Sequence, residues 1–162
     1  MRGLALFVVG VLVGSAAVTG IAQGTPQKDA IVGINHVAIV VENMDEAIAF
    51  YTQKMGFPEA FRMTDDKGQP TIVYLQVSRG TFVELNPVTP TRRPGFRHFG
   101  LETSDIGVTT ANLKQRGVGV GEPNLSGTKS MLANLTTPDG IQIELVDPRP
   151  GSLHRQAMDR WK

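Results

Sequence analysis

Two histidines and two glutamates recur in this sequence at matched spacing. Glu84 follows His36 by 48 positions, and Glu144 follows His98 by 46. Each Glu sits in a β-rich run closed by a proline: Phe82-Val83-Glu84-Leu85-Asn86-Pro87 and Ile141-Gln142-Ile143-Glu144-Leu145-Val146-Asp147-Pro148. Each His sits in an earlier strand-like run, Ile34–Ile39 or Phe96–Leu101. A His-then-Glu pattern that occurs twice at nearly one period reads as a duplicated unit. Two neutral imidazoles and two carboxylates make a full ligand set for one divalent cation. An N/O set without sulfur suits Zn, Ni, Co, Mn or Fe. Taken singly, a strand histidine is more often a hydrogen-bonded core residue, and a strand glutamate more often lies at an edge. Four of them in matched halves shift the balance to a metal site, since clustered His and Glu are its usual material.

The elements that must position these residues can be read in order. Ile31 to Val41 alternates as a strand, with His36, Ala38 and Val40 opposite Val37, Ile39 and Val41. Asn43 with Glu46 resembles a capping box, and Met44 to Met55 carries an apolar stripe of Ala47, Ile48, Phe50, Tyr51 and Met55 before Gly56. Phe57–Thr64, Thr71–Val77 and Thr81–Asn86 follow as strands, the last two joined by Ser78-Arg79-Gly80. Pro87 to Pro94 links the halves. The order then repeats: strand Phe96–Thr103, a helix from Ser104 or Asp105 to about Arg116, a strand starting at Val118–Val120, then Met131–Thr136 and Ile141–Val146. The fold class is therefore α+β, with a β-α-β-β-β order used twice. Each metal-ligating candidate lies opposite the aliphatic residues of its strand, so all four should face the concave side while helices cover the other. Pro148 to Lys162 forms a tail in which Leu153, Ala157 and Trp161 could line one helical face, covering the domain or a partner subunit. In that setting His154 reads as a surface histidine.

The 162 residues amount to one domain with extensions, and a net charge of +1 gives no reason to expect nucleic acid. With no cysteine, disulfides, thiolate metal sites and cysteine nucleophiles are excluded. Residues 1–22 read as a signal peptide: Arg2, an apolar Leu4–Val13, then Gly20-Ile21-Ala22 with small side chains before a cut at Gln23. The alternative is an uncleaved N-terminal anchor and membrane tether, for which the uncharged stretch Gly3–Gln27 is long enough. Either way residues 31–148 should lie outside the cytoplasmic membrane, periplasmic or secreted, after a polar linker at 23–30.

Gly33-Ile34-Asn35-His36-Val37-Ala38-Ile39, Phe50-Tyr51 with Met55-Gly56-Phe57, Glu84-Leu85, His98-Phe99-Gly100-Leu101, and Pro138-Asp139-Gly140 through Glu144-Leu145 resemble the vicinal oxygen chelate superfamily. This is the group of glyoxalases, bleomycin-resistance proteins and extradiol dioxygenases. The resemblance covers about Ile31 to Pro148. It implies two tandem βαβββ modules, 31–88 and 95–148, forming a cupped mixed sheet around a metal, with a small-molecule substrate and a homodimer whose partner completes the cup. The pattern His36, Glu84, His98, Glu144 is similar to that of glyoxalase I. A lyase or isomerase working through a metal-stabilised enediolate is then implied, with Glu144 as the catalytic base and Glu84 as its partner. The superfamily also implies two alternatives. One is an Fe(II) extradiol-type dioxygenase using His36, His98 and Glu144, with Glu84 beside them. The other is a small-molecule binding protein without turnover.

Overall fold

A computed structural model describes residues 30–162. Its centre is one mixed sheet of eight strands in the order β2-β3-β4-β1-β5-β8-β7-β6. The first half supplies β1 (Ile31–Val41), β2 (Glu59–Thr64), β3 (Pro70–Ser78) and β4 (Thr81–Pro87). The second supplies β5 (Gly95–Thr103), β6 (Asn124–Leu125), β7 (Met131–Thr136) and β8 (Gln142–Asp147). Each half carries a helix after its first strand, α1 (Met44–Ala49) and α2 (Ile106–Gln115), and α3 (Leu153–Arg160) ends the chain. The halves meet where β1 and β5 pair antiparallel, and each half places its last long strand parallel to its first, β4 beside β1 and β8 beside β5. The sheet curls into the α+β cup expected from the duplicated pattern.

Alternation sorts the side chains into two layers. On the outer face Val73, Leu75 and Leu85 pack against Ala47, Ile48 and Tyr51 of the first helical segment. The equivalent outer core of the second half joins Ala133 and Leu145 to Ile106 and Leu113 of α2. On the inner face Tyr74 and Phe82 pack against Ala157 and Met158 of α3.

Local sequence explains the helix ends. Asn43 accepts from the Glu46 amide at 3.2 Å, and acidic Asp45 and Glu46 occupy the first turn of α1. Asp105 caps α2 in the same way, its side chain accepting from Val108 N at 2.9 Å.

Three expectations need correction. The first helix changes to a π-helical turn over Phe50–Lys54, where Met55 N bonds Phe50 O, and Phe50 and Met55 are exposed rather than part of the apolar stripe. The strand expected at Val118–Val120 reduces to a single bridge between Val120 and Leu135, because glycines on both sides supply no side chains to pack. The buried face of α3 is His154, Ala157 and Met158, not Leu153, Ala157 and Trp161, since the helix ends before Trp161, which is exposed.

Candidate metal centre

The four predicted ligands stand on four adjacent strands, β4, β1, β5 and β8. Pairing of β1 with β5 sets His36 opposite Gly100 and Ala38 opposite His98. The parallel neighbours then set Glu84 beside Ala38 and Glu144 beside Gly100. All four side chains therefore converge within one chain. His36 Nε2 lies 3.0 Å from His98 Nε2. Glu84 Oε2 lies 3.3 Å from His36 Nε2 and 3.8 Å from His98 Nε2, and Glu144 Oε2 lies 3.6 Å from both. Atoms each held about 2.0–2.1 Å from one ion sit roughly 3.0–3.5 Å from each other, so these separations fit a shared cation with only small adjustments. Among the described residues, the ligand atoms of His36, Glu84 and His98 all lie within 4.8 Å of one another.

Two of the four candidate ligands, His36 and Glu84, are aimed by neighbours. His36 Nδ1 lies 3.0 Å from Asn35 Oδ1. An amide oxygen only accepts, so Nδ1 carries the proton and Nε2 presents its lone pair, the tautomer a ligand needs. Gly100 makes room for the ring: a Cβ there would lie 2.3 Å from His36 Cε1. Glu84 Oε2 accepts from the Tyr74 hydroxyl at 2.5 Å, and Oε1 accepts from Asn86 Nδ2 at 2.8 Å. Burial, then the charge of Glu84, holds the Tyr74 phenol well above its usual range, so it stays a donor. Glu144 is less buried and makes no side-chain hydrogen bond among the described residues. Burial, with the Glu84 charge adding to it, raises its carboxyl from 4.5 to about 7. Burial, His98 and Arg97 lower His36 to about 3, and burial also lowers His98, so both imidazoles are neutral near pH 7.

The structure also brings in residues that alternation does not reveal. β1 and β5 pair irregularly at three places, two of them beside the candidate ligand histidines: Ile34 and His36 face Leu101 and Gly100, while Ala38 and Ile39 face His98 and Phe96. Asn35 and Arg97 are therefore extra residues, each just before a ligand histidine, and a bulge re-aims such a side chain. Asn35 turns inward to His36. Arg97 turns into the cup, with Nη1 2.8 Å from Asn86 Oδ1 and 3.9 Å from Glu84 Oε1. His154 is a further correction. It is 1% exposed, not a surface residue. Its ring lies edge-on to Tyr74 and Phe82 and stacked at 6.4 Å from His36, and Nδ1 pairs with Ser130 Oγ at 3.0 Å. Burial, then His36, lowers it to about 3. Only the position of α3 explains this, and sequence carried no signal for it. One chain supplies all four candidate ligands. The leader or membrane tether at residues 1–22 lies outside the described residues; no helix among those described is long and apolar enough to cross a membrane.

Two cavities meet at the cluster. One of about 500 Å³ is bounded by Arg97, His98, Asn134, Gln142 and Glu144. The other, about 200 Å³, runs from His36, Glu84 and Tyr74 to Thr128 and His154, with Arg97 and Glu144 again in its wall. A sequence model of the Glyoxalase/Bleomycin resistance protein/Dioxygenase superfamily matches residues 33–145. The chain belongs to this superfamily. A probable chloroplastic lactoylglutathione lyase of Arabidopsis thaliana is 27% identical over 151 residues, covering 80% of this chain but only 41% of the relative's length. Among solved structures, methylmalonyl-CoA epimerase from Mycobacterium tuberculosis superposes with a TM-score of 0.64 at 23% identity, covering 76% of this chain and 92% of that one. A Streptomyces coelicolor methylmalonyl-CoA epimerase variant in complex with 2-nitronate-propionyl-CoA gives a TM-score of 0.60 at 22% identity, over 72% and 97%. At such identities the likeness is one of fold. The superfamily match ends before α3, so His154 lies outside the matched residues.

Proposed function

We propose that this chain is an exported, metal-dependent isomerase or lyase of the glyoxalase kind, acting on a small substrate that presents two adjacent oxygens. One observation carries the reading: the two carboxylates at the histidine pair are held differently. Glu84 is tied by Tyr74 and Asn86, whereas Glu144 has no side-chain donor. A fixed carboxylate suits a permanent ligand, and an untied one suits a base that moves.

His36, Glu84, His98 and Glu144 would hold the metal ion. A divalent ion in that set would act as a Lewis acid toward the paired substrate oxygens. Glu144 Oε2 then takes the proton from the carbon next to the substrate carbonyl, so that the C–H bond breaks and its electron pair moves toward oxygen. The same carboxyl returns the proton to the neighbouring carbon, and no external oxidant or reductant is needed. Tyr74 and Asn86 keep Glu84 from competing for that proton. The walls of the inner cavity limit water around the reacting carbons.

The test is elemental analysis of protein purified without chelator, followed by proton NMR of hydroxyacetone in D2O. One zinc, nickel or cobalt per chain with catalysed loss of the α-proton signal is expected, and His98→Ala should lose both. A protein that takes up no divalent metal, or one that binds metal without exchange on any α-hydroxycarbonyl compound, would rule the reading out.

The compact triple His36, Glu84 and His98 favours one second reading, an Fe(II) dioxygenase. In it Glu84, rather than the Glu144 expected from sequence, would be the carboxylate ligand. Iron in the purified protein together with oxygen consumption on a catechol would select it. The export half of the proposal is tested by N-terminal sequencing of protein recovered outside the cytoplasm, where Gln23 should be first.

A further inference from the structure

Arg97 is the only lysine or arginine that lines either cavity, and it lines both. Its inward aim is a built feature, because regular alternation would send it to the opposite face from His98; the bulge between the Ala38 and Ile39 pairings turns it into the cup. A guanidinium has five N–H donors. Arg97 directs Nη1 to Asn86 Oδ1, and its Nε and Nη2 have no protein partner among the described residues. Half of the guanidinium fork is thus left facing the place where two cavities meet beside the His/Glu cluster. Asn86 Oδ1 also accepts from Arg92 Nη1 at 3.3 Å, which fixes the amide that orients Arg97.

Charge narrows what the fork would take. Two carboxylates, one guanidinium and a divalent ion leave the centre with one net positive charge. A singly charged carboxylate would neutralise it, and its two oxygens match the spacing of a guanidinium edge. A phosphate group carries closer to two negative charges near pH 7 and would overshoot. We propose that the substrate bears a carboxylate on the carbon beside its pair of chelating oxygens, and that Arg97 is the residue that binds it. This rests on the metal-dependent reading above and adds the substrate class to it.

Calorimetric titration of the full chain loaded with zinc tests the assignment, using lactate, the neutral lactamide and inorganic phosphate as probes. Lactate is expected to bind roughly tenfold or more tightly than either of the others, the size expected for a charge-assisted hydrogen-bonded pair. Arg97→Gln should lose that tenfold for lactate, hold lactamide within about twofold and keep its zinc stoichiometry. Arg97→Lys, which keeps the charge and loses the fork, should fall between them. Equal weakening of both organic probes, or loss of zinc in step with lactate, would mean that Arg97 only props Glu84, and the proposal would be overturned. Tighter binding of phosphate than of lactate would overturn the carboxylate. Should the protein take up no divalent metal, the proposed function falls on its own. The same titrations of metal-free wild type and Arg97→Gln would then still decide, with an Arg97-dependent lactate preference supporting the assignment and its absence ending it.

Discussion

The two halves of the cup share a plan and differ in how they treat it. In the first, Tyr74 lies opposite Glu84 across the β3–β4 pair and donates to it. In the second, Asn134 lies opposite Glu144 across β7–β8, and neither side chain bonds the other. Phe82 pairs with His36 and is buried, while Gln142 pairs with His98 and is exposed. Asn86 follows Glu84 by two residues and bonds it; Val146 holds the matching place after Glu144 and cannot. The apolar face of α3 packs on the first half, through Ala157 and Met158 on Tyr74 and Phe82, while its His154 pairs with Ser130 of the second. Duplication thus accounts for where the four ligands sit, and divergence accounts for which carboxylate is fixed. In the proposed function the closed half would hold the metal and the open half would supply the base.

The sharpest way to break this contrast is to neutralise each carboxylate in turn. Glu144→Gln should lower the rate of proton exchange by about 10²–10⁴, the usual contribution of a positioned base, while zinc content stays within about twofold. Glu84→Gln should show the reverse emphasis, with weaker zinc binding as the main effect. Exchange rates measured at saturating zinc, beside zinc dissociation constants, separate the two. If both variants lose metal equally, the halves are not specialised and Glu144 is only a ligand.

Next in size is Gly100→Ala. A methyl group there would sit 2.3–2.4 Å from the His36 ring, so the imidazole must leave its place. Zinc affinity should fall by about 100-fold or more, and the metal-free protein should melt roughly 5–10 °C lower, as expected for overpacking of a filled site. Gly33 has open space at its own Cβ position, and Gly33→Ala serves as the comparison with little change expected in either quantity. An unaltered zinc affinity in Gly100→Ala would place His36 outside the centre.

A smaller effect compares the partners of the two carboxylates. Tyr74→Phe removes one hydroxyl from a buried ring and should weaken zinc binding about 10–100-fold, the cost typical of an outer hydrogen-bond partner. Asn134→Ala, at the matching place in the open half, should leave zinc affinity within about twofold. Competition titration against a chromogenic chelator reads both. Equal losses would show that Glu144 is held as firmly as Glu84.

Much of this arrangement was legible in the sequence, and the parts that were not share a cause. The strands, the duplicated order and the convergence of His36, Glu84, His98 and Glu144 follow from period-two alternation, which records which face each residue takes. That rule assumes one partner per residue across a ladder, and it fails at a bulge. Asn35 and Arg97 each precede a candidate ligand histidine, where strict alternation would point them away from the cup, although Gly95, with φ +122°, marks irregular backbone near Arg97. His154 was illegible for another reason. Its burial depends on α3 crossing from the end of the second half to the aromatic face of the first, and a tertiary contact of that kind leaves no periodic trace. The π turn at Phe50–Lys54 is likewise a backbone choice that an apolar stripe cannot distinguish from an α-helical one.

The smallest effect tests whether Glu144 is buried without a partner, which the contrast between the halves requires. In metal-free protein its carboxyl is raised by burial from 4.5 to about 7. Between those values the folded state keeps a proton that the unfolded chain releases. The folded state therefore binds more protons, and this group's contribution to stability falls as pH rises from about 4.5 to 7. His36 and His154 act in the opposite sense: both are lowered to about 3, the unfolded chain takes up protons near 6.5, and stability falls as pH drops below that value. Subtracting the melting temperature of wild type from that of Glu144→Gln removes the histidine contribution common to both. The difference should grow by a few degrees between pH 5 and 7.5 and then level off. Zinc should flatten it, because a carboxylate beside a cation has no reason to retain its proton. A difference that stays level across that window without metal would mean that Glu144 is as well partnered as Glu84, and the open half would lose its claim to the mobile base.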